Sequence, residues 1–184
     1  GPAAGGAHLP IGICAGWQAD GAMLDAIERT GVPLLGWGPP APALVDADDP
    51  TGWHAMDPLP PTSMRRRRLL DVASTPDAAG LLRAEVRFRD SYWEHDGTET
   101  VVHEYGLHLA ADPTDWTIRS IDATPGPLPA PECPSAAASA RRLVGVDLRT
   151  LRDHVRDELT GTSTCTHLND VLRSLADLPR LVGT

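Results

Sequence analysis

Apolar and charged residues alternate with a period of two along residues 82–90, and this pattern constrains the fold more than any other stretch of the chain. The stretch reads Leu82-Arg83-Ala84-Glu85-Val86-Arg87-Phe88-Arg89-Asp90. A period of two places the apolar side chains on one face of a strand and the charged side chains on the other. We therefore predict a sheet with one buried face and one face in water.

Further strands follow the same logic, with turn signals between them. Asp96-Gly97 is typical of a hairpin, and Asp112-Pro113 predicts a second turn. The predicted strands are residues 66–73, 82–90, 100–109 and 116–123, in an antiparallel meander of four strands or more.

The chain changes to a helical period after these strands. Residues 134–144, 148–160 and 166–178 are the three predicted helices. Strands followed by helices predict an α+β core domain over residues 64–184, with the helices packed on one face of the sheet.

Residues 1–63 differ in composition from this core. Proline and glycine are concentrated there, and seven acidic residues stand against a single arginine. We predict a Pro/Gly-rich acidic arm or lid that is largely irregular, with one short helix from an Asp20 cap to a Gly31 stop. The arm carries three tryptophans, Trp17, Trp37 and Trp53. They are expected to anchor the arm to the core or, alternatively, to line a pocket for an apolar ligand.

Charge and cysteine content limit the partners of the chain. A formal net charge of −9 argues against nucleic acid, because phosphate binding requires a basic surface. No apolar run reaches the length of a membrane span, and the first residues do not read as a secretory signal. Three cysteines, an odd number, do not make a disulfide framework, which favours a reducing compartment. We expect a cytoplasmic protein with a small-molecule substrate, and a homodimer is compatible with this expectation.

Several short motifs are spread along the chain from residue 59 onward. In order they are Leu59-Pro60-Pro61-Thr62-Ser63-Met64 followed by four arginines and Asp71, then His103-Glu104, Cys133, Leu143-Val144-Gly145 and Cys165-Thr166-His167-Leu168. This set resembles a bacterial domain-of-unknown-function family, number two-eight-eight-nine, over roughly residues 60–178. Residues 11–17 are similar to an extension of its actinobacterial members, and all 16 basic residues are arginine, as in a GC-rich genome. The resemblance implies no established activity, fold or ligand.

The third predicted strand carries candidate catalytic groups. A period of two places His103 and Tyr105 on one face, and Glu104 and His108 on the other. We expect His103 to titrate near neutral pH, Glu104 to be a second acid/base group, and the Tyr105 hydroxyl to donate to a developing oxyanion. The alternative for either histidine is a hydrogen-bonded structural role.

Cys165 and His167 lie at the predicted start of the last helix. The positive end of the helix dipole favours a thiolate there, so both residues are candidates for catalysis or ligand binding. Cys133 precedes Pro134 and is also expected at a helix N-terminus. Cys133, Cys165 and His167 could hold zinc, although their spacing matches no familiar zinc pattern. Simple burial is the alternative for each thiol.

Four consecutive arginines, residues 65–68, form the one basic cluster. On a strand, Arg65 and Arg67 point to one side, and Arg66 and Arg68 to the other. Ion pairs with the acidic arm are the favoured role of these arginines, and binding of a substrate carboxylate or a coenzyme phosphate by one such pair is the alternative. The predicted substrate-binding residues are Arg65, Arg67, Trp17 and Trp53.

Together these features favour a cofactor-independent acid/base enzyme of the isomerase, cyclase, hydratase or lyase type. Its substrate would be a small oxygenated organic acid or an acyl thioester. The chain lacks a Gly-rich phosphate loop, a Gly-x-Ser-x-Gly elbow and a His-Glu-x-x-His motif, which argues against nucleotide cofactors, serine hydrolases and zincins. The alternatives are a metal-binding accessory protein with a Cys/Cys/His site and a metal-dependent hydrolase, with zinc as the metal. The enzyme hypothesis requires His103 and the turn at residues 165–167 to border one cavity.

Overall fold

A four-stranded antiparallel sheet forms the centre of the molecule. The computed structural model describes residues 9–34, 38–44, 48–54 and 56–182. The strands, in the order β1-β2-β3-β4, are β1 Met64–Val72, β2 Leu82–Trp93, β3 Glu99–Ala111 and β4 Ile118–Pro125. Each strand pairs with its neighbour in sequence, which confirms the predicted meander.

Both predicted turns are present between the strands. At the tip of the β2–β3 hairpin Gly97 has a φ of +86°, a conformation that glycine adopts without steric cost. The Glu94 and Thr98 backbones pair across this turn, with an N–H to carbonyl distance of 2.8 Å. In the β3–β4 connection the Asp112 carboxylate accepts from the Thr114 N–H at 3.0 Å. Local turn chemistry therefore closes the meander.

The arm contains the predicted short helix, α1 Ala22–Thr30. The helix ends at Gly31, which has a φ of +79° and makes the expected left-handed C-cap. Its N-cap is Gly21 instead of the predicted Asp20, and the cap has no side-chain hydrogen bond of its own. The Glu132 carboxylate accepts from the N–H of the first helical residue at 2.8 Å. A carboxylate of the core therefore caps the helix, where the sequence predicted a local side-chain cap.

Further along, the arm crosses to the other side of the sheet. The Ala41 N–H donates to the Glu99 carbonyl at 2.8 Å, so this part of the arm pairs with the start of β3. The Pro42 carbonyl then accepts from the Arg89 guanidinium at 2.7 Å. Trp53 lies near Leu69 of β1 in a small cavity away from the helices. Trp37 lies outside the described residues.

The C-terminal helices follow β4. They are a 3-10 helix over Cys133–Leu143, α2 Leu151–Glu158, α3 Thr166–Ser174 and α4 Leu178–Leu181, with single 3-10 turns at Leu148–Thr150, Gly161–Ser163 and Leu175–Asp177. The first predicted helix is thus a 3-10 helix. Its buried residues include Cys133, Ala136 and Ser139, which recur every third position. Three residues per turn bring such positions onto one face.

The hydrophobic core lies between the helices and one face of the sheet. The alternating apolar residues of β2 are buried, and the charged residues between them are exposed up to Arg87. The helical side of the core includes Leu143, Leu148, Leu151, Val155, Leu168 and Leu172, all with no exposed surface. Burying one such side chain stabilises the fold by about 1.5–3 kcal/mol. None of the helices in the described part of the chain is long and apolar enough to cross a membrane.

Candidate functional site

A row of three polar side chains crosses β1, β2 and β3 on the helix-facing side of the sheet. Strand pairing places Arg66 opposite Asp90, and Asp90 opposite His103. Directly after this row the register shifts, so that Ser91 pairs with Val101. Such a bulge bends a strand and redirects its side chains, and bulges are frequent beside functional sites.

Asp90 is held in place by Arg66. The guanidinium makes two parallel hydrogen bonds to the carboxylate, Nε to Oδ1 at 2.8 Å and Nη2 to Oδ2 at 2.7 Å. Asp90 has 6% of its side chain exposed and Arg66 has 46%. The hydrogen bonds to Asp90 raise the pKa of Arg66 above its usual value. Arg66 also donates to Asp170 of α3 at 3.1 Å, so one side chain ties the sheet to the helix.

The start of α3 supplies the other half of the site. Cys165 is the N-cap of this helix, and His167 lies in its first turn. The imidazole rings of His103 and His167 are stacked, with 3.5 Å between centroids and 20° between planes. His167 Nε2 is 3.7 Å from Asp90 Oδ2, and His167 Nδ1 is 4.0 Å from Cys165 Sγ. His167 therefore lies between a carboxylate and a thiol.

Both histidines of the stack favour the neutral form. Burial, with help from the charges of His167 and Arg66, lowers the pKa of His103 to about 3. Burial also lowers the pKa of His167, although Asp90 partly offsets the effect. Two imidazolium ions 3.5 Å apart would repel each other by about 5 kcal/mol at an effective dielectric constant of roughly 20. A carboxylate beside Nε2 favours a proton on that nitrogen, which leaves the Nδ1 lone pair of His167 facing the thiol.

The two histidines and Cys165 line a cavity of about 490 Å³. This volume is within the range of small-molecule sites. The rest of the wall is mainly apolar and includes Trp17, Met23, Leu34, Met64 and Val102. No carboxylate or guanidinium is among the described residues that line it. The arrangement is an apolar chamber with a few polar groups for orientation and chemistry.

Four of the predicted site residues therefore meet at one place. They are His103, Cys165, His167 and Trp17. Cys133 also borders the cavity, as does Cys14, and all three thiols are free and buried. Burial raises the pKa of Cys14, and it raises the pKa of Cys133 to about 11. These two sulfurs remain thiols at neutral pH.

Glu104 and Tyr105 are not among the residues that line the cavity. Glu104 points to the opposite face of the sheet, where it pairs with Arg89. Its separation from His103 follows from the strand, since neighbouring residues face opposite sides. Tyr105 shares the face of His103 but is 1% exposed in the core, and burial, together with the nearby Cys165 thiol, raises its pKa. Neither side chain therefore lines the cavity that His103 borders, although Tyr105 lies next to Cys165 of its wall.

Arg65 and Arg67 also lie away from the cavity. Both guanidiniums lie over the Trp93 ring, 5.3 and 5.4 Å from its centroid. Arg67 pairs with Glu99 at 2.9 Å, and Arg65 donates to the Asp57 carbonyl. Trp53 is not a lining residue of the cavity either.

The other pair of the cluster, Arg66 and Arg68, faces α3, and both bind Asp170. The alternation of the four arginines was predicted correctly, but the pair near the site is the other one. The ion pairs of residues 66–68 join them to carboxylates of the core, Asp90, Glu99 and Asp170, whereas acids of the arm were the expected partners.

The potential metal ligands that the structure brings together differ from the predicted set. Ligand atoms of Asp90, His103 and His167 lie within 4.8 Å of one another. The alternative that the sequence offered was a site of Cys133, Cys165 and His167. The lone pairs of the two imidazoles lie in ring planes that are stacked and only 20° apart, which is an unfavourable geometry for two ligands of one ion. Both Asp90 oxygens also already accept from Arg66. A metal would require the rings to turn and this ion pair to rearrange.

Sequence reasoning missed Asp90 and Arg66 as site residues. A signal for Asp90 was present in the alternation of β2, because it occupies the apolar phase that includes Val86 and Phe88. A carboxylate in that phase is expected to be buried and to need a partner. Cys14 was missed because nothing in the local sequence connects residue 14 with α3.

The fold and the site define an α+β domain in which a buried polar cluster, between the sheet and the helices, opens onto an apolar cavity. The chain belongs to the family described as "Protein of unknown function (DUF2889)", whose model matches residues 64–180. This confirms the resemblance drawn from the motifs. No curated protein and no solved structure matches the chain. The polar residues of the site lie inside the matched range, and Trp17 lies outside it.

Proposed function

We propose that the protein is a cofactor-independent acid/base enzyme that transfers a proton next to a carbonyl group of a small organic acid or acyl thioester. The observation that carries the proposal is the position of His167, between Asp90 and Cys165 at the wall of an apolar cavity. Isomerisation, cyclisation, hydration and elimination next to a carbonyl group can each include such a proton transfer.

His167 is the acid/base group in this proposal. Its side chain is 29% exposed, so it can contact a molecule in the cavity. Asp90, fixed by Arg66, favours the tautomer with a proton on Nε2, and Nδ1 is then free to take a proton from Cys165 or from the substrate. Cys165 lines the same cavity and acts as the proton partner of His167.

His103 contributes as a neutral imidazole. With its pKa lowered to about 3, it remains uncharged at physiological pH and can hydrogen-bond a carbonyl oxygen without protonating it. Its Nδ1 is buried and has no hydrogen-bond partner among the described residues. An ordinary structural histidine would have this atom paired, since an unpaired buried polar atom costs about 1–3 kcal/mol. This supports a functional role for the stack.

Exchange of hydrogen for deuterium at the carbon next to the carbonyl tests this proposal. A panel of saturated and α,β-unsaturated acyl thioesters, with both short and long acyl chains, is incubated with the protein in heavy water and followed by mass spectrometry. We expect exchange above the uncatalysed rate for at least one compound, and a drop of about 100-fold or more in His167→Gln. His108→Gln is the control, because His108 is exposed on the other face of the sheet. No exchange across the panel, or equal exchange in both variants, contradicts the proposal.

A second candidate is a metal-binding protein or a metal-dependent hydrolase. The observation that favours it is the grouping of Asp90, His103 and His167 within 4.8 Å. Elemental analysis of the purified protein, followed by zinc titration, separates the two candidates. Stoichiometric zinc that is lost in His103→Gln supports the metal site, and a stable protein that binds no zinc supports proton transfer.

The same proposal includes a small-molecule substrate, a cytoplasmic location and an actinobacterial source. The odd number of cysteines, all free, supports a reducing compartment. The exclusive use of arginine supports a GC-rich genome. A homodimer belongs to the proposal as well, and sedimentation measurements test it.

A further inference from the structure

We propose that the ligand of the cavity is a neutral carbonyl compound with an extended apolar chain, and that residues 10–34 select the length of this chain. This inference names the substrate class of the proposed enzyme and therefore rests on that proposed function. It is carried by the origin, the polarity and the opening of the cavity wall.

The wall has two halves of different origin. Of the 18 lining residues that lie in the described part of the chain, nine come from residues 10–34 and nine from residues 64–167. The family match begins at residue 64, so the first half lies outside it. The histidines, Cys165 and the Asp90 that supports them lie inside the match. The family domain therefore carries the polar groups, and the preceding segment carries much of the surface that contacts the body of a ligand.

The preceding segment is built into the fold at this point. The Ala15 N–H donates to the Thr164 carbonyl at 2.9 Å, next to the start of α3. A side chain on Gly16 would place its Cβ 2.8 Å from Cys133 Sγ, so the backbone lies directly against the thiol. Met23 is 5% exposed and packs in a small cluster with Cys133. These contacts fix the shape of the apolar half.

The polarity of the wall selects an apolar ligand with an uncharged head. The segment contributes apolar side chains, among them Ile13, Trp17, Met23 and Leu34. The titratable groups among the described lining residues are the two histidines, the thiols and Tyr92, so none of these residues is an arginine or lysine that would meet a free carboxylate. Arg66 is already bound by two carboxylates. An ester, thioester or ketone fits this wall better than its carboxylic acid, because a buried unpaired charge is costly.

Two apolar residues of the cavity wall reach the surface. Ile13 and Met64 are 51% and 61% exposed, so we place them at the rim of the cavity. Exposed apolar side chains around a cavity are typical of ligand-binding grooves. Such a rim lets a chain longer than the chamber continue outward without crossing a charged surface.

Binding of a homologous series tests the inference. Methyl esters of straight-chain acids with about 4 to about 12 carbons are titrated against the full chain by calorimetry. The matching free acids are titrated beside them. Each added methylene is expected to lower Kd by about fourfold until the cavity is filled, since burying one contributes about 0.8 kcal/mol. The free acids are expected to bind at least about tenfold more weakly than the esters.

A matched pair of variants connects this dependence to the segment. Ile13→Asp introduces a charge at the rim, and Val144→Asp introduces the same charge at a site that is 50% exposed and outside the cavity. We expect Ile13→Asp to weaken binding of the long esters about tenfold with little effect on the short ones, and Val144→Asp to leave the series unchanged. Circular dichroism confirms that both variants are folded.

The outcomes separate this inference from the proposed function. Chain-length dependence without any deuterium exchange overturns the enzyme hypothesis and leaves the ligand class standing. Deuterium exchange with affinities independent of chain length overturns the ligand class alone. Equal effects of the two aspartates, or tighter binding of the free acids, also overturns the inference.

Discussion

The stacked histidines predict a specific loss of stability in acid. Burial and the nearby charges lower the pKa of His103 to about 3 in the folded protein, against a usual value of 6.5. Between these two values the unfolded chain binds a proton that the folded chain does not bind. The free energy of unfolding therefore falls as the pH falls below about 6.5, by up to about 1.4 kcal/mol per pH unit. Above that pH His103 is neutral in both states, so none of this stability is lost.

The loss of stability is large enough to measure between pH 7 and pH 5. From pH 7 to pH 5 the contribution of His103 is a loss of about 2 kcal/mol, a large share of the stability of a typical domain. His167 acts in the same direction, because burial lowers its pKa too. In His103→Gln the first contribution is removed, so the variant should lose about 2 kcal/mol less than the natural chain over this range.

Urea unfolding at pH 7 and pH 5 measures this difference directly. Each protein is compared with itself at the two pH values, so the cost of losing the ring stack cancels to first order. His108→Gln is the matched control, since its side chain is 67% exposed. If His103→Gln loses as much stability as the natural chain between pH 7 and pH 5, then His103 is not held neutral by its surroundings and the assignment of its role is wrong.

Three further predictions follow from individual contacts. Arg66→Gln leaves the nearly buried Asp90 without its cation, so it should lower the free energy of unfolding by about 1–3 kcal/mol in urea denaturation. An unchanged stability would show that water replaces the guanidinium. Leu172→Ala opens a cavity where no surface is exposed and should cost about 2–5 kcal/mol in the same assay, and a cost under about 1 kcal/mol would contradict the packing of α3. Gly38→Ala would place its Cβ 1.9 Å from the Val101 carbonyl oxygen, so it should detach this part of the arm from β3. Hydrogen exchange of the Val101 amide should then become faster, because this amide donates to the arm. An unchanged exchange rate would show that the arm does not pair there.

The sequence alone predicted much of the fold because its signals are local. Period-two alternation in residues 82–90 gave β2 its buried face, and Asp96-Gly97 gave the hairpin turn. The helical period after Pro134 gave the C-terminal helices, and Gly31 gave the end of α1. Each of these features depends on residues within one turn or one strand of each other, so no tertiary information was needed.

The site was predicted only in part. His103, Cys165 and His167 were identified by residue type and by their positions on a strand and at a helix start, and the structure brings all three to one cavity. Glu104 was grouped with His103 because it is adjacent in sequence, although adjacent strand residues face opposite sides. Asp90 was overlooked because a charge at the end of an alternating strand reads as part of the exposed face.

What the sequence determined is the order of the elements and which face of each is apolar, since side-chain period and turn chemistry act over a few residues. What only the tertiary structure decided is which polar groups meet. The contact between His103 and His167 joins residues 64 positions apart in the chain, and the approach of Gly16 to Cys133 brings the arm against the core. Such meetings depend on strand register, on the bulge after Asp90 and on the docking of α3 through Asp170. These are properties of packing, in which small shifts change the partners of every side chain, and no short-range pattern in the sequence records them.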